Sequence, residues 1–115
     1  MKFYGYSGCG TCRKAKKWLE ENGLEYEEVA IRETPPSKTM LKTMLQIVGD
    51  PKRLFNTSGQ DYRALGIKDK LPTMTERDVL ELLSTNGNLV KRPFVLSASD
   101  GTVGFDAEVW AKKFL

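Results

Sequence analysis

The chain has 115 residues, of which 40% are hydrophobic and 29% are charged, and its formal net charge is +3. These values are typical of one soluble domain, which we expect to span residues 1–115. The charge is too small to predict direct binding to nucleic acid, and no apolar run is long enough to predict a membrane helix. The chain has no histidine, so Cys–His and Ser–His–Asp hydrolases are excluded because their base is missing.

The first third of the chain predicts a strand, a helix and a second strand. Residues 2–6 (KFYGY) form a short aromatic segment typical of a strand, and the Ser-Gly pair at residues 7–8 predicts a turn. The next apolar residues have the spacing of one face of an amphipathic helix: Ala15, Trp18 and Leu19. Asn22-Gly23 predicts the end of this helix, and residues 26–31 predict the second strand. A strand–helix–strand unit makes the two strands parallel.

The middle of the chain predicts a run of helices. Ser37 is a typical N-cap residue, and Thr75 with Asp78 resembles a capping box. An apolar stripe follows Ser37, and its helical spacing favours a core face over an adaptable methionine-rich binding face: Met40, Leu41, Met44, Leu45 and Val48. Short helical pieces are predicted near residues 54–55 and 61–65. The polar segment Asn56-Thr57-Ser58-Gly59 between them forms either a simple turn or a group that presents hydroxyl and amide groups to a substrate.

The end of the chain predicts a β-hairpin and a closing helix. Residues 94–96 and 102–104 flank Ser99-Asp100-Gly101, which predicts a hairpin with an Asp-Gly turn. Residues 106–115 have the apolar spacing of an amphipathic helix. The order β-α-β, helical middle, β-β-α predicts an α/β fold with a mixed sheet and helices on both faces.

The two cysteines, Cys9 and Cys12, form a Cys-x-x-Cys motif between the first strand and the first helix. A structural zinc site usually needs four ligands, so a metal site is disfavoured, and a disulfide across so short a loop constrains the unfolded chain little. A reversible redox pair remains. At the helix N-terminus Cys9 is expected to be the thiolate nucleophile, and Cys12, one turn later, is expected to resolve its mixed disulfide. The four basic residues at positions 13, 14, 16 and 17 form either a solvated face or a positive field that favours the thiolate.

Four segments together resemble the arsenate reductase (ArsC)/Spx family across essentially the whole chain, and the middle and C-terminal ones are most similar to its YffB-type branch: CGTCRKAKKWLEENG, LFNTSGQDYRAL, LVKRPFVL and TVGFDAEVW. The resemblance implies a thioredoxin-like fold with a mixed four-stranded sheet and a helical insertion at about residues 37–88. It also implies that Cys9 is the nucleophile. Arg92-Pro93 matches the family's Arg-Pro, whose peptide bond is cis in relatives, and Arg92 is expected to face the thiolate or a bound oxyanion.

The sequence departs from the family's arsenate reductases at the oxyanion site. Those enzymes hold the oxyanion with three arginines, whereas here only Arg92 matches, and Asn56 and Phe105 take the other two places. A phenyl ring cannot form the bidentate pair that a guanidinium forms. We assign substrate or anion binding to the following residues, with no metal site: Gly10, Thr11, Asn56, Arg92 and Pro93.

These departures favour a thiol-disulfide or glutathione-dependent reductase over an arsenate reductase. The other alternative is an Spx-like redox-sensing regulator that binds the RNA polymerase α subunit. We expect no bound cofactor, with glutathione as co-substrate. The expected partners are glutathione, a small thiol or an oxyanion, with glutaredoxin or thioredoxin as the protein reductant. The N-terminus does not resemble a signal peptide, so we expect a cytoplasmic location. We also expect a monomer.

Overall fold

The computed structural model describes Met1–Leu115 and contains four strands and six α-helices. The strands are β1 (Lys2–Gly5), β2 (Glu27–Ala30), β3 (Phe94–Leu96) and β4 (Gly101–Val103). The helices are α1 (Gly10–Glu21), α2 (Lys38–Val48), α3 (Gln60–Ala64), α4 (Ile67–Lys70), α5 (Glu76–Thr85) and α6 (Ala107–Phe114). Short 3₁₀ helices lie at Pro51–Leu54, Leu71–Thr73 and Gly87–Leu89.

The four strands form one mixed sheet in the order β2-β1-β3-β4. Strand β1 is parallel to β2 and antiparallel to β3, and β3 is antiparallel to β4. Tyr4 in the centre of the sheet therefore lies opposite Val29 on one side and Phe94 on the other. The mixed four-stranded sheet and the thioredoxin-like α/β fold predicted from the sequence are confirmed.

Helices cover both faces of the sheet, as predicted. Successive side chains of a strand point to opposite faces. Tyr4 and Phe94 accordingly belong to the larger core, which includes Leu41 and Met44 of α2 and Leu83 of α5. Their neighbours in the strands, Phe3 and Val95, belong to a second core built from α1 and α6: Cys12, Ala15, Leu19 and Trp110. The methionine stripe of α2 is thus a core face.

The predicted helix caps are present. The Ser37 hydroxyl accepts a hydrogen bond from the Met40 N–H at 3.2 Å at the start of α2. At the start of α5 the Thr75 hydroxyl accepts from the Asp78 N–H, and the Asp78 carboxylate accepts from the Thr75 N–H, both at 3.1 Å. These reciprocal bonds satisfy two N–H groups that a helix N-terminus would leave without partners.

The hairpin is confirmed, but its predicted Asp-Gly turn is wrong. The chain reverses at residues 97–100, where the Ser97 N–H donates to the Asp100 carbonyl at 2.8 Å, and Gly101 already lies in β4. Gly101 does not have the positive φ that an Asp-Gly turn requires. The residue lies in a closely packed place instead: a Cβ here would lie 2.8 Å from Leu96 Cδ1, 3.0 Å from Met44 Cε and 3.1 Å from the Val95 carbonyl oxygen.

No α-helix combines the length and the apolar composition needed to cross a lipid bilayer.

Candidate redox site

The end of β1 and the start of α1 fix the position of Cys9. The Cys9 N–H donates to the Tyr6 carbonyl at 3.0 Å, which closes the turn predicted at residues 7–8. Arg13 reaches back from α1 and donates to the Ser7 carbonyl at 3.0 Å. Cys9 is the N-cap of α1, with extended backbone angles, and its sulfur accepts a hydrogen bond from the Cys12 N–H at 3.4 Å. The thiol therefore occupies the position where a helix N-terminus stabilises negative charge.

The surroundings of Cys9 favour its thiolate. Partial burial by itself would raise the pKa of the thiol. The thiol and the backbone N–H of Cys12 both donate hydrogen bonds to the Cys9 sulfur, Arg92 contributes a positive charge, and the Thr11 backbone adds a further hydrogen bond. These effects together outweigh burial, and the pKa of Cys9 lies below the usual value for a cysteine.

Cys12 has the opposite character. Its side chain is completely buried in the second core, and Gly5 makes room for it, because a Cβ on Gly5 would lie 3.3 Å from Cys12 Sγ and 2.6 Å from Phe3 Cε1. Burial, the hydrogen bond to Cys9 and the nearby negative charge of Cys9 raise the pKa of Cys12 to about 11. The pair therefore consists of a partly accessible thiol whose pKa is lowered and a buried thiol whose raised pKa keeps it protonated at neutral pH.

Arg92 and Pro93 lie beside this pair, joined by a cis peptide bond. Pro93 is buried, and its carbonyl accepts from the Gly104 N–H at 2.9 Å, which ties the segment to the end of β4. The Arg92 guanidinium lies 5.3 Å from the centre of the Tyr6 ring. Its charge lowers the pKa of both cysteines. The structure thus brings Arg92 and Pro93 to the Cys-x-x-Cys motif.

A cleft lined by polar residues and a glycine opens next to Arg92. It has a volume of about 380 Å³, and we call it the polar cleft: Arg32, Asn56, Ser58, Asp61, Asn88 and Arg92 are among the residues that line it. Asn56 is held there by its backbone N–H, which donates to the Leu89 carbonyl at 2.7 Å. The predicted residues Arg92 and Asn56 therefore share one cavity.

Gly10 and Thr11 occupy the exposed first turn of α1. Thr11 lines a second cavity, of about 460 Å³, together with Lys91, Phe105 and Val109. The Phe105 ring lies 5.0 Å from that of Trp110 and 6.3 Å from that of Trp18, and it is not part of the polar cleft. Phe105 therefore belongs to an aromatic cluster.

Of the four basic residues that follow Cys12, two form local contacts and two are exposed to solvent. Lys16 forms an ion pair of 2.8 Å with Glu28 of β2, and Arg13 is bonded to the turn before Cys9. Lys14 and Lys17 are exposed. Arg13 and Lys16 therefore hold the local structure, and the charge that acts on both cysteines comes from Arg92.

Three residues of this region were not predicted from the sequence: Tyr6, Arg32 and Asn88. The Arg32 guanidinium lies 3.7 Å from the centre of the Tyr6 ring, so Arg32 and Arg92 both contact the same aromatic side chain. The predicted βαβ unit contained a signal for Arg32. This residue follows the carboxyl end of β2, and parallel neighbours such as β1 and β2 end at the same edge of a sheet. For Asn88, which is distant in sequence, there was no comparable signal.

Comparison with known proteins agrees with this structure. The model of the ArsC family matches residues 4–113. The protein YusI of Bacillus subtilis is 53% identical over 106 residues, covering 91% of this chain and 90% of YusI. The solved structure of an ArsC-family-related protein from Bacteroides fragilis has a TM-score of 0.91 and 46% identity, and the match covers 96% of this chain and 94% of that one. The global transcriptional regulator Spx of Listeria innocua is 29% identical over 110 residues, covering 94% of this chain and 82% of Spx. The chain belongs to the ArsC family.

Proposed function

We propose that this protein is a thiol-disulfide reductase that uses Cys9 as the nucleophile, Cys12 as the resolving thiol and glutathione or a similar small thiol as the reductant. The observation that carries the proposal is the unequal pair of thiols. Cys9 is partly accessible at a helix N-terminus with a lowered pKa, and Cys12 is buried one turn later with a raised pKa. This inequality suits a two-step exchange, in which the more acidic and more accessible thiol attacks first.

In the first step the Cys9 thiolate attacks one sulfur of a substrate disulfide. A bond forms between Cys9 and that sulfur, the substrate disulfide breaks, and the departing thiolate takes up a proton. In the second step Cys12 loses its proton to solvent and attacks Cys9 Sγ, which forms the Cys9–Cys12 disulfide and releases the second substrate thiol. The substrate gains two electrons, and two molecules of glutathione, or a thioredoxin- or glutaredoxin-type dithiol, return them to the protein.

The test is glutathione-dependent reduction of hydroxyethyl disulfide by the purified protein, compared with Cys9→Ser and Cys12→Ser. We expect Cys9→Ser to have no turnover. We expect Cys12→Ser, the matched variant, to accumulate a mixed disulfide that mass spectrometry detects as one added glutathione on Cys9. Turnover by Cys9→Ser at the wild-type rate would contradict the proposal. Arsenate serves as a second substrate in the same assay. We expect no turnover of it, because Asn56 and Phe105 stand where the family's arsenate reductases have arginines, and neither side chain can form the bidentate pair with an oxyanion.

The second candidate function is a redox-sensing regulator that binds the RNA polymerase α subunit. The observation in its favour is the similarity to Spx over 94% of this chain. Both functions use a reversible Cys9–Cys12 disulfide, so oxidation of the pair does not separate them. Binding to the purified C-terminal domain of the α subunit, measured with the oxidised and the reduced protein, does. Binding in either state supports the regulator, and its absence in both eliminates it.

A further inference from the structure

Two buried polar atoms near the polar cleft lack a hydrogen-bond partner. They are Asn88 Oδ1, an acceptor, and Arg92 Nη1, a donor, and both side chains line the cleft. Most buried polar atoms in folded proteins have a partner, so each such exception calls for an explanation. The Asn88 side chain does not cap the 3₁₀ helix that contains it. That role belongs to Asn86, whose Oδ1 accepts a hydrogen bond from the Asn88 N–H at 3.0 Å.

The polar cleft also has an excess of positive charge. Arg32 and Arg92 both line it and both lie against the Tyr6 ring, and neither forms an ion pair. The one carboxylate in its lining, Asp61, already accepts a hydrogen bond from the Asn86 amide at 3.2 Å. Two guanidiniums facing one occupied carboxylate favour an anionic ligand, and guanidiniums bind carboxylates with two parallel hydrogen bonds.

We propose that the polar cleft binds the amino-acid end of the small thiol that exchanges with Cys9. Its carboxylate accepts hydrogen bonds from Arg32 and Arg92, and its amine donates to Asn88 Oδ1. This end offers an acceptor and a donor on one carbon, which are the two groups that the buried atoms of Arg92 and Asn88 lack. Arg32 is then the residue that selects thiols with a carboxylate over neutral thiols.

This inference rests on the proposed reductase, because the ligand's sulfur must react at Cys9. Arg92 connects the two places, since it lines the polar cleft and also lowers the pKa of Cys9. Arg32 is not among the main contributions to the pKa shift of Cys9. Arg32→Gln is therefore tested with a ligand that cannot react at Cys9, so that its binding reports on recognition alone.

The experiment measures binding of S-methylglutathione, a thioether that cannot exchange with disulfides, to the reduced protein by isothermal titration calorimetry. The variants are Arg32→Gln and, as the matched control, Arg77→Gln, which removes an exposed arginine of α5 outside the polar cleft. We expect Arg32→Gln to weaken binding by about tenfold or more, because a hydrogen bond to a charged group is lost. We expect Arg77→Gln to bind like the wild type.

The dimethyl ester of S-methylglutathione, which has no carboxylate, is the matched control ligand, and its binding to the wild type and to Arg32→Gln is measured in the same way. We expect the ester to bind the wild type at least as weakly as the free acid binds Arg32→Gln, because the ester loses the charge-assisted hydrogen bonds from both Arg32 and Arg92. We also expect Arg32→Gln to distinguish acid from ester less than the wild type does. Equal binding of acid and ester by the wild type, equal binding by the Arg32 and Arg77 variants, or no binding of the probe to the wild type would overturn the inference. None of these results depends on turnover. A failure of the proposed reductase function in the Cys9 assay is therefore distinguished from a failure of this inference about binding.

Discussion

Replacement of Gly87 by alanine adds only one methyl group, but we expect it to destabilise the fold strongly. It is buried where the 3₁₀ helix Gly87–Leu89 packs on the chain that leaves β2. A Cβ at this position would overlap the carbonyl oxygen of Ile31, and it would lie 2.7 Å from the Ile31 carbonyl carbon and 3.1 Å from Arg32 Cα. The obstacle is backbone, which cannot change rotamer, so one of the two segments must move.

Overpacking of a well-packed interior costs roughly 1–3 kcal/mol, and an immovable neighbour favours the upper end. We therefore expect Gly87→Ala to lower the free energy of unfolding by about 3 kcal/mol. For a chain of this length that corresponds to a fall in Tm of about 12 °C, at about 4 °C per kcal/mol. Thermal unfolding followed by circular dichroism measures this fall.

The matched control is Gly10→Ala in the first turn of α1. The nearest atom to its added Cβ is Arg13 Nη2 at 3.7 Å, an ordinary contact. Because alanine is favoured over glycine in a helix, we expect Gly10→Ala to leave Tm unchanged or to raise it. A Tm for Gly87→Ala within about 2 °C of the wild type, equivalent to about 0.5 kcal/mol, would refute the argument from backbone overlap.

Three further predictions concern the cysteine pair and its support. Replacing Arg92 by Met removes a positive charge, so we expect the pKa of Cys9 to rise. The rate of Cys9 alkylation by iodoacetamide should then increase at a higher pH than in the wild type. An unchanged pH profile would contradict the role of Arg92. The pKa of Cys12, about 11 in the folded protein, lies above its value of about 8.5 in an unfolded chain. The folded state therefore holds this proton longer, and the stability that Cys12 contributes declines as pH rises from about 8.5 towards 11. We expect urea denaturation to show a smaller decline for Cys12→Ala than for the reduced wild type across that range. Trp110 is fully buried and its indole N–H donates to the Gly104 carbonyl at 3.2 Å, so we expect Trp110→Ala to lower the free energy of unfolding by about 3–5 kcal/mol in the same assay, and a loss below about 1 kcal/mol would contradict its place in the core.

Local features of the chain were predictable, because short-range chemistry determines them. The spacing of Ala15, Trp18 and Leu19 predicted α1, and the caps at Ser37 and Thr75 predicted the starts of α2 and α5. The position of Cys9 at the helix N-terminus follows from the same local pattern. Each of these features depends on residues within about one or two helical turns, where propensity and capping act directly.

The features that were missed are either very short or depend on contacts between distant segments. Helix α4 (Ile67–Lys70) and the 3₁₀ helix Leu71–Thr73 are too short to show a hydrophobic period. The polar cleft joins Arg32, which follows β2, to Asn88 and Arg92, which precede β3. Those segments meet only because the intervening helices return the chain to the end of β2, where Gly87 permits close contact. Local sequence patterns do not predict a contact between segments so far apart in the chain.

The two thiols also impose an order on the proposed exchange. The raised pKa of Cys12 comes first from its burial, but also from its hydrogen bond to Cys9 and from the negative charge there. When Cys9 forms a mixed disulfide, that charge disappears, and both of the contributions that depend on it are lost. Cys12 then ionises more readily than in the free protein, at the one stage when its attack is needed. Because Cys12 is completely buried, Cys9 is the sulfur within its reach, so the same packing that delays its ionisation also directs its attack.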